Sequence, residues 1–558
     1  MHRLLVIVCF GLLGACSVMD AGPAQLPCRD AESGRFEMHD QGVGRGQDFL
    51  VRGTLLSEIR ADDVHGLPDF LFRLLPGVRH DHSLRHIEYR VLNYDEGFNL
   101  RGRLISNEYD TGKGVLTFRG GSRRDMPVSG SIQGVPERVE VDWVFSTDFN
   151  DTRTRHGVWG GGMGWTGQPL IVQWPDSLIH SFFDANADGD PVVQSPELII
   201  ASLSGTVFFL DLESGEETRP PIATGNPLKG TPSLDPRFNG MLYAGHGVPH
   251  TDSFGIHMID LNKHASVFFY SGHTDRDAYR RWGAFDSSPL LVGDYLYWPG
   301  ENGLLYKFFI DKGEIRLVSK LVYRVHGRYA PGIESSLAVY RNYGYFGDNH
   351  GNIICVNLLT MEPVWHYNNF DDTDATIVIE VEDGIPFLYT GTQVDRQGEE
   401  GYSRFAKLNG LDGTEVWTTR IKAYRVAYHD RYFDGGMYAT PLLGRGNASE
   451  IIVSNVAHTD TTGMGELIAF YRESGDVAYR TPLRAYSWSS PVALYNELDE
   501  MFIFTADRRG TVYLIDGSNG EILLHKNIGH NFEASPVVWG NSVVIGSRGR
   551  EIYKIDIR

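Results

Sequence analysis

Ala406-Lys407-Leu408-Asn409-Gly410-Leu411-Asp412-Gly413-Thr414-Glu415-Val416-Trp417 closes a β-rich run at Asn409, turns at Gly413 and returns on a large apolar residue at Trp417. The same frame of anchor, turn and apolar residue recurs at Asp260/His264/Phe268, Asn357/Met361/Trp365 and Asp516/Gly520/Leu524. Asp211/Gly215/Arg219 keeps the spacing with an Arg in the last place. Phe309/Gly313/Leu317 and Tyr471/Gly475/Tyr479 change the anchor, and Asp556 is an eighth anchor close to the end of the sequence. Anchors roughly 40 to 60 residues apart have the spacing of four-stranded propeller blades. The pattern predicts an all-β chain folded as an eight-bladed β-propeller.

Within each repeat a small-residue step leads into an apolar strand, as in Ser287-Ser288-Pro289, Ala439-Thr440-Pro441, Ser489-Ser490-Pro491 and Ala534-Ser535-Pro536. Proline suits the first residue of a strand, where its missing N–H costs least. A second strand follows, a third carries the anchor, and the turn leads to the outermost strand. The last repeat runs out at Glu551 to Arg558 without an outer strand. Val141-Asp142-Trp143-Val144-Phe145-Ser146 is an unassigned strand, so the segment 141–148 is expected to complete the last blade and close the ring. The propeller is expected over residues 117–558.

The N-terminus is different. Residues 1–16 combine a basic start, an apolar run from Leu4 to Leu13 and small residues before Cys16, the pattern of a secretory signal. Leu13-Gly14-Ala15-Cys16 resembles the bacterial lipobox, which implies lipidation of Cys16. Ser17 in the next position favours the outer membrane in that resemblance, facing the periplasm or the cell surface. Residues 17–40 read as a flexible tether. Residues 41–116 read as a small appended α+β or β module, with a helical pattern from Asp62 to Leu75 and strands at 87–92 and 98–105. A formal charge of -20 argues against nucleic acid and anionic membrane surfaces as partners, leaving the lipid anchor as the membrane contact. Cys28 and Cys355 are the cysteines outside the signal and the lipidation site.

Ala406 to Trp417 also resembles the tryptophan-docking repeat of quinoprotein dehydrogenases, Ala-x-Asp-x-x-Thr-Gly-x-x-x-Trp. Cys355 to Trp365 and Leu514 to Leu524 are weaker copies. Phe118-Arg119-Gly120 through Arg124-Asp125, followed by Trp143-Val144-Phe145-Ser146-Thr147, resembles the opening segment of non-enzymatic quinoprotein-like propellers. The resemblance implies eight blades, a Trp packed between neighbours, and pyrroloquinoline quinone (PQQ) with Ca²⁺ over the channel mouth in the enzymatic members. Those members carry a vicinal Cys-Cys pair against the quinone. This sequence has neither that pair nor a Cys-x-x-Cys-His haem signature. It is similar instead to the lipid-anchored barrel-assembly scaffold of the outer membrane, which uses the propeller for binding.

Two groups of residues carry candidate chemistry. Asp184, Asn186, Asp188 and Asp190, with Gly189 at the bend, place oxygens at the alternating positions of a Ca²⁺ loop. Glu197 is the carboxylate expected to complete it. The second group follows from blade geometry, in which the residue three before each inner-strand start rings one mouth of the channel. Those residues are Thr166, Lys229, Asp286, Glu334, Asp374, Tyr438, Trp488 and Glu533. Carboxylates beside aromatic faces suit a cation, a basic peptide or a sugar. His80, Asp81, His82 and His86 read as surface groups, and Trp159 and Trp165 as packing at the start of a blade. The expectation is a calcium-stabilised, lipid-anchored scaffold of the cell envelope with a protein or glycan partner. The alternative is a PQQ-dependent dehydrogenase.

Overall fold

The computed structural model describes residues 37–40, 49–52, 83–94, 109–126, 128–182, 195–311, 313–325, 330–428 and 431–558. The chain divides into two units, Met1–Leu75 and Pro76–Arg558. In the first, Glu37–Asp40, read from sequence as the end of a tether, pairs antiparallel with Phe49–Arg52. The second unit holds eight sheets of four or five strands, one per blade, with inner strands as short as Ser233–Leu234 and Leu442–Leu443.

The repeated frame is the device that locks blade to blade. Its turn residue lies in the left-handed region in every copy, from φ 50° at His264 and 62° at Met361 to 73° at Gly413 and 84° at Gly313. Glycine adopts this conformation without strain, whereas other residues rarely do. The large residue of one blade then covers the turn of the next. Trp365 lies on Gly413 and donates Nε1–H to the Gly410 carbonyl at 2.9 Å. Trp417 lies on Gly475 and donates to Arg472 at 2.9 Å, and Tyr479 lies on Gly520 and donates to Gly517 at 2.9 Å. A Cβ built on Gly413 would stand 2.6 Å from the Trp365 ring, so glycine is required there by contact as well as by φ.

The small-residue step has an equally local cause. At five of the blade seams the hydroxyl before an inner strand accepts the N–H of the matching residue one blade back. Ser288 N donates to Ser336 Oγ at 2.8 Å, Ser336 N to Thr376 Oγ1 at 2.9 Å, and Thr440 N to Ser490 Oγ at 2.9 Å. These bonds form a girdle around the hub, where an unpaired N–H would be buried at a cost of ~1–3 kcal/mol.

The ring closes through Val139–Ser146, which pairs antiparallel with Glu551–Ile557 as the outer strand of the last blade. From that strand Trp143 covers Gly215 of the first blade and donates to the Leu212 carbonyl at 3.0 Å.

Of the described parts of residues 41–116, read from sequence as an appended module, Phe49–Arg52 lies in the first unit, whereas residues 83–94 and 109–116 lie in the propeller unit. Ile87–Asn93 pairs with Ser319–Val325 as a fifth, outermost strand of the third blade. The outer strand of that blade, Glu314–Val325, is twelve residues long and extends a free edge that a neighbouring strand can cover. The helix expected at Asp62 to Leu75 and the strand expected at 98–105 lie outside the described residues.

Residues 114–126 and 128–131 run through the hub and together touch every blade. Gly114–Val115 pairs with the first inner strand. The carbonyls of Leu116, Ser122 and Arg123 accept from Leu234, Val339 and Ile379 of the second, fourth and fifth blades at 2.7–2.9 Å. Arg124, 0% exposed, donates to the carbonyls of Ser288 at 3.3 Å in the third blade and Leu337 at 2.9 Å in the fourth. Arg119, also 0% exposed, donates to Pro491 at 2.7 Å and Pro441 at 2.9 Å in the seventh and sixth. Ser131 N reaches Gly540 of the last blade at 2.7 Å. The hub is therefore filled with protein at this level. Among the described residues no helix is long and apolar enough to cross a membrane.

Candidate functional site

The residues preceding the inner strands meet above this hub segment. Asp286 and Glu334 stand two and three residues before Ser288 and Leu337, whose carbonyls Arg124 binds. Glu301 joins them from the turn between the second and third strands of the third blade. One oxygen from each of Asp286, Glu301 and Glu334 lies within 4.8 Å of the others. Asp286 and Glu301 are buried and meet carboxyl to carboxyl, and among the described residues no N–H or hydroxyl donates to Asp286 Oδ1 or Glu301 Oε1.

Lys229 contacts Asp286, and its ammonium lies 4.2 Å from the centre of the Trp165 ring. Trp165 donates Nε1–H to Glu334 at 3.2 Å. Arg280 approaches Glu301 at 3.8 Å. Asp374 takes Gln393 on one oxygen and leaves Oδ1 unpartnered, and Asp372 Oδ1 is unpartnered beside it.

Burial sets the electrostatics here. It pushes Asp286 up to about 6, against the pull of Lys229. It pushes Glu334 up to about 7 and Glu301 up to about 8, with neighbouring carboxylates adding to the rise. Asp372 and Asp374 go well above the carboxylate range for the same reason. Burial works against the Lys229 ammonium, but Asp286, Glu301 and Glu334 outweigh it and raise its pKa. Five carboxyl groups thus face the cations Lys229, Arg280 and Arg396. A buried carboxylate without a partner is costly unless it takes a proton or a cation.

An aromatic wall completes the mouth. Tyr438 and Trp488 lie 4.6 Å apart at 30°, and Trp165 stands edge-on to them at 6.1 and 5.6 Å. Glu533 takes Asn531 at 2.7 Å and Arg548 at 3.4 Å, while Arg548 lies 4.7 Å from the Trp159 ring.

The eight positions derived from blade geometry therefore divide. Lys229, Asp286, Glu334 and Asp374 join the acidic cluster. Tyr438 and Trp488 form the wall, and Glu533 pairs with Arg548. Thr166 meets Glu533 through its backbone, N to O at 3.0 Å. Glu301, Asp372 and Trp165 were missed. Glu301 comes from a hairpin turn at the same end of its blade as Asp286, a signal that an acid at that turn would have supplied. Trp165, read with Trp159 as packing at the start of a blade, does pack against the buried cluster of Tyr438, Tyr486 and Trp488, and its indole also reaches Glu334.

The loop Asp184, Asn186, Asp188 and Asp190 lies outside the described residues, as do Cys16, Cys28, His80, Asp81 and His82. Glu197 is buried in the first blade, where its carboxylate takes Arg219 at 2.8 Å, Trp174 Nε1 at 2.8 Å and Thr218. His86 is exposed at the end of a short turn, and Cys355 is buried in a strand.

PQQ carries carboxylates that need cations and a flat ring that needs parallel faces. Lys229 and Arg548 are already engaged by Asp286 and Glu533, Arg280 faces Glu301, and Trp165 stands edge-on where a parallel slot would open. The residues present do not fit that group.

No protein-family profile and no curated protein sequence matches the chain. Solved structures do. The quinohemoprotein alcohol dehydrogenase of Comamonas testosteroni is 12% identical, with 80% of each chain covered and a TM-score of 0.54. A europium-containing methanol dehydrogenase is 13% identical over 81% of this chain and 99% of its own, at 0.52. BamB of Moraxella catarrhalis is 16% identical over 68% and 97%, at 0.44. At these identities the likeness is one of fold: the chain has the eight-bladed propeller architecture of the quinoproteins.

Proposed function

We propose that the protein is a lipid-anchored binding scaffold of the cell envelope that receives a protein or glycan partner at the propeller mouth, with Ca²⁺ held by Asp286, Glu301 and Glu334. The observation that carries this reading is the meeting of three carboxylates above a filled hub, with no N–H or hydroxyl among the described residues donating to Asp286 Oδ1 or Glu301 Oε1. Calcium takes six to eight oxygens, carboxylates foremost, and tolerates irregular geometry. The Asp184–Asp190 loop is proposed as a second calcium position on its oxygen spacing, with Cys16 as the lipidated residue.

Calorimetric titration of the mature protein with Ca²⁺ tests both positions. One site is expected to vanish in Glu301→Gln and the other in Asp188→Ala. Tb³⁺ is expected to give luminescence sensitised through Trp165, lost in Glu301→Gln and competed by Ca²⁺. Absence of sensitised emission from the wild type, or its survival in Glu301→Gln, removes the mouth site. A PQQ-dependent dehydrogenase is the rival reading, and Ca²⁺-dependent dye reduction after incubation with PQQ and an alcohol would establish it instead.

A further inference from the structure

A cavity of about 410 Å³ shares no lining residue with the carboxylate cluster. One wall is the tip of the hairpin formed by Asn150–Thr154 and Gly157–Gly160, which contributes Arg155 and His156. The other walls come from the second blade and the connection that follows it, with Asp252, Phe254, His273 and Trp282. The volume falls in the ~300–1,000 Å³ range of small-ligand sites.

The floor is aromatic but not parallel. His156 lies 4.8 Å from Trp282 at 57°, and Phe254 lies 5.6 Å from it at 62°. The splayed rings offer single faces and edges rather than a parallel-walled slot. The rim offers donors and acceptors together. Arg155 uses Nε on His156 at 2.8 Å, and among the described residues its guanidinium makes no ion pair. Asp252 and His273 are exposed at the same opening. A ligand rich in hydroxyls, each both donor and acceptor, matches that mixture. A chain of formal charge -20 disfavours a polyphosphate or nucleic acid.

We infer that this cavity is a carbohydrate subsite that stacks a neutral hexose ring of an envelope glycan on Trp282, with Asp252 and Arg155 bonding its hydroxyls. The site stands independently of cation binding at the mouth. The test titrates the mature protein with glucose, galactose, mannose, N-acetylglucosamine and their β1,4-linked dimers. Binding is followed by tryptophan fluorescence and saturation-transfer NMR. At least one of these sugars is expected to bind saturably, with affinity falling tenfold or more in Trp282→Ala and unchanged in Tyr402→Ala. No saturable binding by any probe, or full binding by Trp282→Ala, overturns the inference. If Trp282→Ala is unfolded by circular dichroism, Asp252→Ala decides on the same criterion.

Discussion

His246 is expected to make the stability of this propeller pH-dependent in a direction and amount that one substitution isolates. The residue is 0% exposed, and its Nδ1 accepts the N–H of Gly255 at 3.3 Å. Its ring lies parallel to Phe254 at 6.2 Å and edge-on to His257 at 4.7 Å. Burial, with the His257 ring adding to it, pulls its pKa down from 6.5 to about 3. A depressed folded pKa means that the unfolded chain takes the proton first. The contribution is therefore fully present above pH 6.5 and is lost progressively as pH falls toward 3. From pH 7.5 to 5.0 the unfolded imidazole gains its proton and the native one does not, a loss of ~2 kcal/mol. Whole-protein curves hide this term. Asp286, Glu334 and Glu301, raised to about 6, 7 and 8, favour the native state as pH falls through the same window. The comparison is therefore between wild type and His246→Asn, which keeps an acceptor near the Nδ1 position and does not titrate. Urea unfolding at pH 7.5 and 5.0 is expected to show a wild-type-minus-variant stability difference that shrinks by ~2 kcal/mol at the lower pH. An identical difference at both values would show that the imidazole is protonated in the native state, and the burial argument would fail.

Gly413→Val combines a left-handed φ of 73° with a Cβ 2.6 Å from the Trp365 ring, and is expected to cost ~3–5 kcal/mol from strain and overpacking, read as a fall in the urea midpoint. Trp143→Ala removes both the cover on Gly215 and the bond to Leu212 where the ring closes, and is expected to cost ~2–4 kcal/mol by the same assay. A change under ~0.5 kcal/mol in either would refute the docking account for that position.

The propeller was legible because its signal is local and repeated. Asn409, Gly413 and Trp417 report an anchor, a positive φ and a docking ring within nine residues, and the other copies repeat the spacing. The inner-strand steps were legible for the same reason, since the hydroxyls that serve the girdle stand at a fixed place before their strands. The hub segment and the added strand Ile87–Asn93 were not legible as parts of the propeller. Gly114–Val115 and Gly130–Ser131 are two residues each, too short for alternation to show, and every partner they find is remote in sequence. The mouth divides in the same way. Position along the blade located Asp286, Glu334 and Asp374, but Glu301 and Trp165 reach them only through hairpin geometry and chain closure. Hydrophobic periodicity carries no record of either.

The acidic mouth and the filled hub explain each other. Carboxyls raised by burial to about 6, 7 and 8 keep the mouth in a state that favours protonation over charge, which is a cost of folding at neutral pH and above. Such strain persists where the surrounding structure fixes the groups more firmly than they repel one another. Here Asp286 and Glu334 stand a few residues from carbonyls bound by Arg124, itself held in a segment that touches all eight blades. Moving either acid away would disturb the girdle through Ser288 and Ser336 as well. The chain can therefore neither spread the carboxylates apart nor flood them with water through an open channel beneath. What remains is to neutralise them from above, by proton or by cation. A cation there lies against Trp165, whose indole donates to Glu334 and packs edge-on to the buried Tyr438 and Trp488, so the ring that touches the acids is itself fixed by the core.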